Sequence, residues 1–163
     1  MADERTPVEA VAPLLARARQ AGLWPRRAAL FHDLERLDAR VDELIAAFPP
    51  GTHHAVAIKA NPLIAVLQRL VARGAGLEAA SWEEVQCALA AGCPPDRIVY
   101  DSPAKTDDEL RQALALGVHL NADHADELAR IQALGPNGRI GLRVNPQVGE
   151  GSIAATSTVG RTS

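Results

Sequence analysis

Five apolar segments recur along the sequence at intervals of 20 to 23 residues, beginning near His54, Leu77, Arg97, Val118 and Arg139. Each segment is short enough for a buried strand, and the apolar spacing between consecutive segments is typical of an amphipathic helix. Alternating strands and helices require parallel strands joined by right-handed crossovers. The sequence therefore predicts a repeated βα structure, either a doubly wound open sheet or a (β/α)8 barrel.

Helix-start signals occur in each gap of this repeat. They are Asn61-Pro62, the capping-box sequences that begin at Ser81 and Thr106, and a polar stretch near Asp123. A capping box pairs a serine or threonine with a glutamate three residues later, so that both satisfy free backbone N–H groups. These signals predict four helices, one after each of the first four strands.

Two further helical patterns precede the first strand, over about residues 7–20 and 29–48. The sequence Pro-Pro-Gly at 49–51 interrupts the chain directly after them. We therefore expect an N-terminal helical segment over residues 1–50 and the repeated βα structure over residues 51–163.

The first strand ends in a lysine that is followed by a turn signal. With alternating side chains, Ala55, Ala57 and Lys59 share one face of this strand, and the bulkier Val56 and Ile58 share the other. We expect Lys59 to point into a space that the alanines keep open, where its amine can form a Schiff base with a carbonyl compound. A lysine that reaches solvent, or that makes an ordinary ion pair, is the alternative.

Charged residues with small neighbours also occur in two other predicted strands. Glu78 alternates with Gly76 and Ala80, and Arg143 lies on the same face as Gly141. An open sheet covered on both faces offers no place for these charges, whereas a barrel directs them into its lumen near the carboxyl ends of the strands. We therefore favour the barrel. A buried structural ion pair is the alternative to a functional role for Glu78 and Arg143.

Composition excludes several classes of function. The net charge of −3 provides no basic surface for nucleic acid. No apolar run reaches the length of a membrane span, and the N-terminus lacks the pattern of a signal peptide, so we expect a cytoplasmic protein. In that compartment Cys87 and Cys93 are expected to be reduced. The histidine spacing matches no metal-binding motif, and no metal site is expected.

Four motifs connect the chain to a known family. They are residues 56–62 (VAIKANP), 74–81 (GAGLEAAS), 98–106 (IVYDSPAKT) and 142–146 (LRVNP). In this order they resemble the barrel motifs of the pyridoxal-phosphate-dependent diaminopimelate, ornithine and lysine decarboxylases, which are relatives of alanine racemase. The resemblance implies an α/β fold, a partial (β/α)8 TIM barrel of about five βα units preceded by two helices.

The resemblance also implies roles for individual residues. Lys59 would be the catalytic lysine that carries pyridoxal 5'-phosphate as an internal aldimine. Glu78 would occupy the acidic position beside the cofactor, and Arg143 would be the strand-end arginine near the lysine and the substrate. The implied reaction is decarboxylation of a basic or diamino amino acid by a homodimer.

The family's phosphate-binding loop, ring-stacking histidine and pyridine-nitrogen partner have no counterpart in the sequence. We therefore expect an N-terminal fragment of such an enzyme that is inactive by itself. A non-catalytic homologue that binds a cofactor or a partner is the alternative.

Lys105 is the only other lysine of the chain. It lies in a loop directly before the helix that begins at Thr106. This position predicts a side chain that is solvated or faces the substrate.

Overall fold

The computed structural model describes residues 7–23 and 30–144, with side chains from residue 11. The chain divides into two compact units, residues 1–37 and residues 38–163. Helix α1 (Pro7–Gln20) belongs to the first unit, and helix α2 (Leu34–Ala46) contains the division. Both helices lie within the segments that the sequence predicts to be helical.

A parallel sheet of five strands forms the centre of the second unit. The strands are β1 (Ala55–Ala57), β2 (Gly76–Ala79), β3 (Ile98–Tyr100), β4 (His119–Ala122) and β5 (Gly141–Leu142). Each strand pairs with its successor in the order β1-β2-β3-β4-β5. A doubly wound sheet would reverse this order at a switch point. The strand order therefore confirms the prediction of a partial barrel, with five consecutive strands of its wall. Every strand begins within two residues of its predicted start.

Each gap between consecutive strands contains one α-helix, as predicted. These are α3 (Ile64–Ala72), α4 (Trp82–Ala90), α5 (Asp107–Leu116) and α6 (Ala125–Ala133). Thr106 and Glu109 form the predicted reciprocal capping box of α5. At α4, the Ser81 hydroxyl accepts a hydrogen bond from the Glu84 backbone N–H, as predicted. The Glu84 carboxylate accepts from the Ala80 N–H at 2.7 Å, whereas a reciprocal capping box would have it accept from the Ser81 N–H. No helix within residues 7–23 and 30–144 is long and apolar enough to cross a membrane.

The hydrophobic core lies between the sheet and these four helices. Its side chains alternate along the strands and recur on the sheet-facing sides of the helices. Burial of each large aliphatic side chain contributes about 1.5–3 kcal/mol to the free energy that favours folding. Those with no more than 1% of their surface exposed include Leu67, Leu77, Val85, Ile98, Leu110, Leu120 and Ile131.

Ion pairs attach α2 to α3 within the second unit. The Asp38 carboxylate accepts hydrogen bonds from Nε and Nη2 of Arg69, at 2.7 and 2.6 Å. Nε of Arg73 lies 3.2 Å from the same carboxylate. The hydrogen bond from Arg69 holds the pKa of Asp38 below its usual value. These contacts join the part of α2 that belongs to the second unit to α3, the first helix of the repeat.

The prediction that Lys59 shares a strand face with two alanines is wrong. Strand β1 ends at Ala57, and Ile58–Ala60 form a 3₁₀ turn in which side chains no longer alternate between two faces. Ile58 is fully buried in this turn, whereas Lys59 is exposed. The lysine nevertheless lies directly beyond the carboxyl end of β1, which is the position that the sequence predicts.

Gly76, at the start of β2, provides a test of the sheet's packing. A Cβ atom at this position would overlap the Arg97 carbonyl oxygen and Nε2 of His53. Because the Arg97 carbonyl is part of the backbone, Gly76→Ala must displace a strand. We expect it to lower the free energy of unfolding by about 1–3 kcal/mol in urea denaturation.

Gly138→Ala is the matched control for this substitution. A Cβ atom at Gly138 would meet nothing within 4 Å, and its φ angle does not lie in the left-handed region. Its effect should stay within about 0.5 kcal/mol of wild type. Equal stability of the two alanine variants would contradict the packing described for β2.

Candidate functional site

Charged side chains occur at or just beyond the carboxyl ends of the five strands. In chain order they are Lys59, Glu78, Asp101, Asp123 and Arg143. The carboxyl ends of parallel strands meet at one edge of a sheet, which in barrels is the edge that carries active sites. The winding of the chain therefore gathers two cations and three carboxylates along one edge.

Arg143 lies between two of these carboxylates. Its Nη1 is 3.5 Å from Oδ1 of Asp123 and 4.0 Å from Oδ1 of Asp101. Backbone hydrogen bonds of 2.9 Å hold two of the three residues in the sheet, from Arg143 N–H to the Ala122 carbonyl and from Asp101 N–H to the Ala79 carbonyl. The guanidinium thus bridges the ends of β3 and β4 from a position at the end of β5.

Glu78 lies within electrostatic range of both cations. Burial is the main influence on its carboxyl group, and it raises the pKa above the usual 4.5. The positive charge of Lys59 lowers this pKa, Asp101 and Glu84 raise it, and Arg143 lowers it. Glu78 is therefore half-buried among charges of both signs.

Lys59 presents an accessible amine at this edge. Its side chain is exposed, and among the described residues its ammonium makes no hydrogen bond or close ion pair. The adjacent Ile58 is fully buried and anchors the 3₁₀ turn in the core. The 3₁₀ turn thus presents the Lys59 side chain on the surface, next to a residue that is anchored in the core.

The three site residues predicted from sequence all lie at the same edge, but the predicted alternative of a buried pair between Glu78 and Arg143 does not form. Within residues 7–23 and 30–144, the close ion-pair partners of Arg143 are Asp101 and Asp123. Sequence reasoning missed both aspartates as site residues, although each directly follows a strand. Their position was the signal that could have identified them.

The prediction for Lys105 is wrong, because its side chain is fully buried. Its Nζ donates hydrogen bonds to the Ser102 carbonyl at 2.6 Å, the Asn121 carbonyl at 2.8 Å and Oε1 of Glu127 at 3.0 Å. Glu127 is itself only 1% exposed. All three protons of the ammonium have acceptors, which is the condition under which a buried charge is tolerated.

Residues 34–163 match the family model described as pyridoxal-dependent decarboxylase, pyridoxal binding domain. The diaminopimelate decarboxylase of Methanothermobacter thermautotrophicus is 46% identical over 96 residues, covering 58% of this chain and 22% of that protein. The ornithine decarboxylase of Neurospora crassa is 39% identical over 89 residues, covering 54% and 18%. The chain thus spans about a fifth of the length of these two relatives.

A similar fold occurs among solved structures. The diaminopimelate decarboxylase of Helicobacter pylori, solved in complex with L-lysine, superposes with a TM-score of 0.67 and 30% identity. The superposition covers 79% of this chain and 35% of that protein. The five-stranded sheet and its helices therefore correspond to about a third of the larger structure.

The raised pKa of Glu78 predicts a stability effect with a defined sign. Below the usual pKa of 4.5, Glu78 is protonated in both the folded and the unfolded states. As pH rises toward and through the raised folded-state pKa, the unfolded chain ionises more readily and folding loses stability. Glu78→Gln removes this loss, so the variant should gain stability relative to wild type in urea denaturation as pH rises above the usual pKa of 4.5.

Glu83→Gln is the control, because the pKa of Glu83 is lowered by hydrogen bonds from its own backbone N–H and from Ser81. A carboxyl group with a lowered pKa stabilises the folded state above its usual pKa and loses that contribution as pH falls. The Glu83 variant should therefore lose stability relative to wild type over the same rise in pH. Parallel pH profiles for the two variants would disprove the environment described for Glu78.

Proposed function

The chain belongs to the family of pyridoxal-dependent decarboxylases, and from that membership we propose that it is the N-terminal part of an enzyme that decarboxylates a basic or diamino amino acid such as diaminopimelate, ornithine or lysine. We propose Lys59 as the catalytic and cofactor-binding lysine, and Glu78 and Arg143 as further cofactor-binding residues. The accessible amine of Lys59, at the edge that also carries Glu78 and Arg143, is the observation that carries this proposal.

The residues at the edge fit pyridoxal phosphate better than a metal ion. The cofactor attaches through a lysine amine, and the amine of Lys59 is exposed and makes no close ion pair with the described residues. Within that part of the chain, no group of three or more histidine, cysteine, aspartate or glutamate residues could hold a metal. Oδ1 of Asp101 is a buried atom without a hydrogen bond, so the edge also retains an unused acceptor.

The protein's part in the reaction is to hold groups and to move protons. When bound, pyridoxal phosphate supplies an electron sink for the bond between Cα and the carboxylate that breaks. Lys59 would hold the cofactor through its amine, and the same amine would be the group that returns a proton to Cα. Arg143 supplies a positive charge whose position is defined by Asp101 and Asp123.

Glu78 complements these cations. Its half-buried carboxyl group places a negative potential beside Lys59, and burial of the group reduces screening by water. A cationic group bound near Glu78 would favour ionisation of its carboxyl. Glu78 is therefore suited to hold the positively charged part of a ligand whose anionic part faces Arg143.

The proposal extends to the organisation of the protein. We propose residues 1–50 as an N-terminal helical segment and residues 51–163 as the N-terminal part of the pyridoxal-phosphate-binding barrel. We propose a homodimer as the full-length form and the cytoplasm as its location. The two cysteines, Cys87 and Cys93, form no disulfide, which suits a reducing compartment. The net charge of −3 provides no basic surface for nucleic acid, and we propose none as a partner.

Chemical trapping tests the role of Lys59. The 163-residue protein is incubated with pyridoxal phosphate and sodium borohydride, which fixes the cofactor on the amine that holds it, and the labelled peptide is mapped by mass spectrometry. We expect the label on Lys59, because its amine is exposed, whereas the Lys105 amine is buried and fully hydrogen-bonded. Lys105 is thus an internal control, and a label on Lys105 in the folded protein would refute the assignment.

A chimera tests the proposed reaction. Residues 34–163 replace the corresponding segment of the Helicobacter pylori diaminopimelate decarboxylase, whose fold superposes on this chain. We expect carbon dioxide release from diaminopimelate by the chimera, and loss of that release in its Lys59→Ala variant. Circular dichroism and the elution volume of the chimera show that it is folded.

Two further results complete this test. The isolated chain of residues 1–163 should release no carbon dioxide from diaminopimelate, lysine, ornithine or arginine, because the groups expected to bind the phosphate and the pyridine ring lie outside it. A folded chimera that binds the cofactor on Lys59 but releases no carbon dioxide would identify a non-catalytic homologue and overturn the proposed reaction.

A further inference from the structure

A buried ion pair lies beneath the charged edge. Lys105 and Glu127 have 0% and 1% of their side-chain surfaces exposed, and their charged atoms are 3.0 Å apart. Nζ of Lys105 also lies 5.5 Å from the ring centre of Tyr100, the last residue of β3. The proposed reaction uses neither residue, and the accessible edge contains neither charge.

The two oxygens of Glu127 serve different donors. Oε1 accepts from the Lys105 ammonium at 3.0 Å, and Oε2 accepts from the backbone N–H of Asp123 at 2.7 Å. The backbone N–H of Glu127 donates to Nδ1 of His124 at 3.2 Å, which caps helix α6. Glu127 therefore holds the backbone of Asp123 from below, while the Asp123 carboxylate faces Arg143.

Lys105 makes the corresponding contacts with β3 and β4. It donates to the carbonyl of Ser102, the residue after Asp101, and to the carbonyl of Asn121, two residues before Asp123. Nη2 of Arg130, on α6, donates to the backbone carbonyl of Lys105 at 2.8 Å. One ammonium thus connects the segments that carry both carboxylates of the Arg143 site.

We propose that the buried Lys105–Glu127 pair is a positioning device for Arg143, because it fixes the separation between the strand ends that carry Asp101 and Asp123. The spacing of these carboxylates determines where the guanidinium lies at the accessible edge. The contribution of Arg143 to cofactor and substrate binding rests on the function proposed above. The control of Arg143 by the buried pair does not require that function.

The substitution Glu127→Gln tests the device with little change in side-chain volume. A carboxylate accepts hydrogen bonds at both oxygens, whereas an amide accepts at one and donates at the other. In the variant, either the Lys105 ammonium or the Asp123 N–H must face an NH₂ group. Asp123 should lose its fixed position even in molecules that remain folded.

The main readout is the side-chain order of Arg143, measured without cofactor. In the 163-residue protein labelled with ¹⁵N-arginine, the Nε–H signal of Arg143 is assigned by its disappearance in Arg143→Lys. We expect a resolved signal in wild type, and its collapse to the position of a free arginine in Glu127→Gln. Leu110→Ala, which truncates a fully buried core residue on α5, is the destabilised control and should retain the signal.

The second readout is the apparent dissociation constant of pyridoxal phosphate, measured by trapping at Lys59. We expect Glu127→Gln to weaken it by about tenfold, the size of effect seen when the outer partners of metal ligands are removed. An unchanged Arg143 signal in Glu127→Gln, or an equal loss in Leu110→Ala, would overturn the inference. Failure of wild type to hold the cofactor on Lys59 would instead count against the role proposed for Lys59, because the Arg143 signal is measured without cofactor.

Discussion

Parallel strands joined by right-handed crossovers must all end at the same edge of the sheet, and in this protein a charged residue lies at or just beyond the carboxyl end of each strand. Five charges along one edge repel and attract one another, so the backbone that carries them must be held in place by other contacts. Positive and negative charges do not alternate from strand to strand, because the three carboxylates follow one another in strand order between the Lys59 amine and the Arg143 guanidinium. The winding of the chain therefore creates both a potential site and an electrostatic problem.

The charged side chains of this region form two layers, one accessible and one buried. The accessible layer contains Lys59, which makes no close ion pair with the described residues, and Arg143, which faces two aspartates. The layer beneath it contains Lys105 and Glu127, whose charges are matched and whose hydrogen-bonding groups contact backbone atoms of β3, β4 and the loops that follow them. The lower layer thus fixes the backbone on which the charges of the accessible layer are carried.

Sequence reasoning predicted the parts of this arrangement that depend on local pattern. The strand and helix order, the caps at Thr106 and Ser81 and the strand-end position of Lys59 follow from periodicity and turn chemistry. It failed where neighbours distant in sequence decide. The burial of Lys105 depends on an acceptor 22 residues later, and the pairing of Arg143 depends on two aspartates from other strands. No local signal distinguishes a lysine that will meet Glu127 from one that will meet water.

The energies of the two layers show which of them determines the geometry. The ion pairs of Arg143 join side chains that are 26 to 43% exposed, and such surface pairs contribute about 0–1 kcal/mol each. A pair of that strength cannot hold two strand ends in place. Removing one partner of a buried pair costs about 3–5 kcal/mol, because the other charge is left without compensation in a poorly solvated site. The geometry of the accessible edge must therefore be set from below, and Arg143 occupies the position that the backbone of β3 and β4 leaves for it.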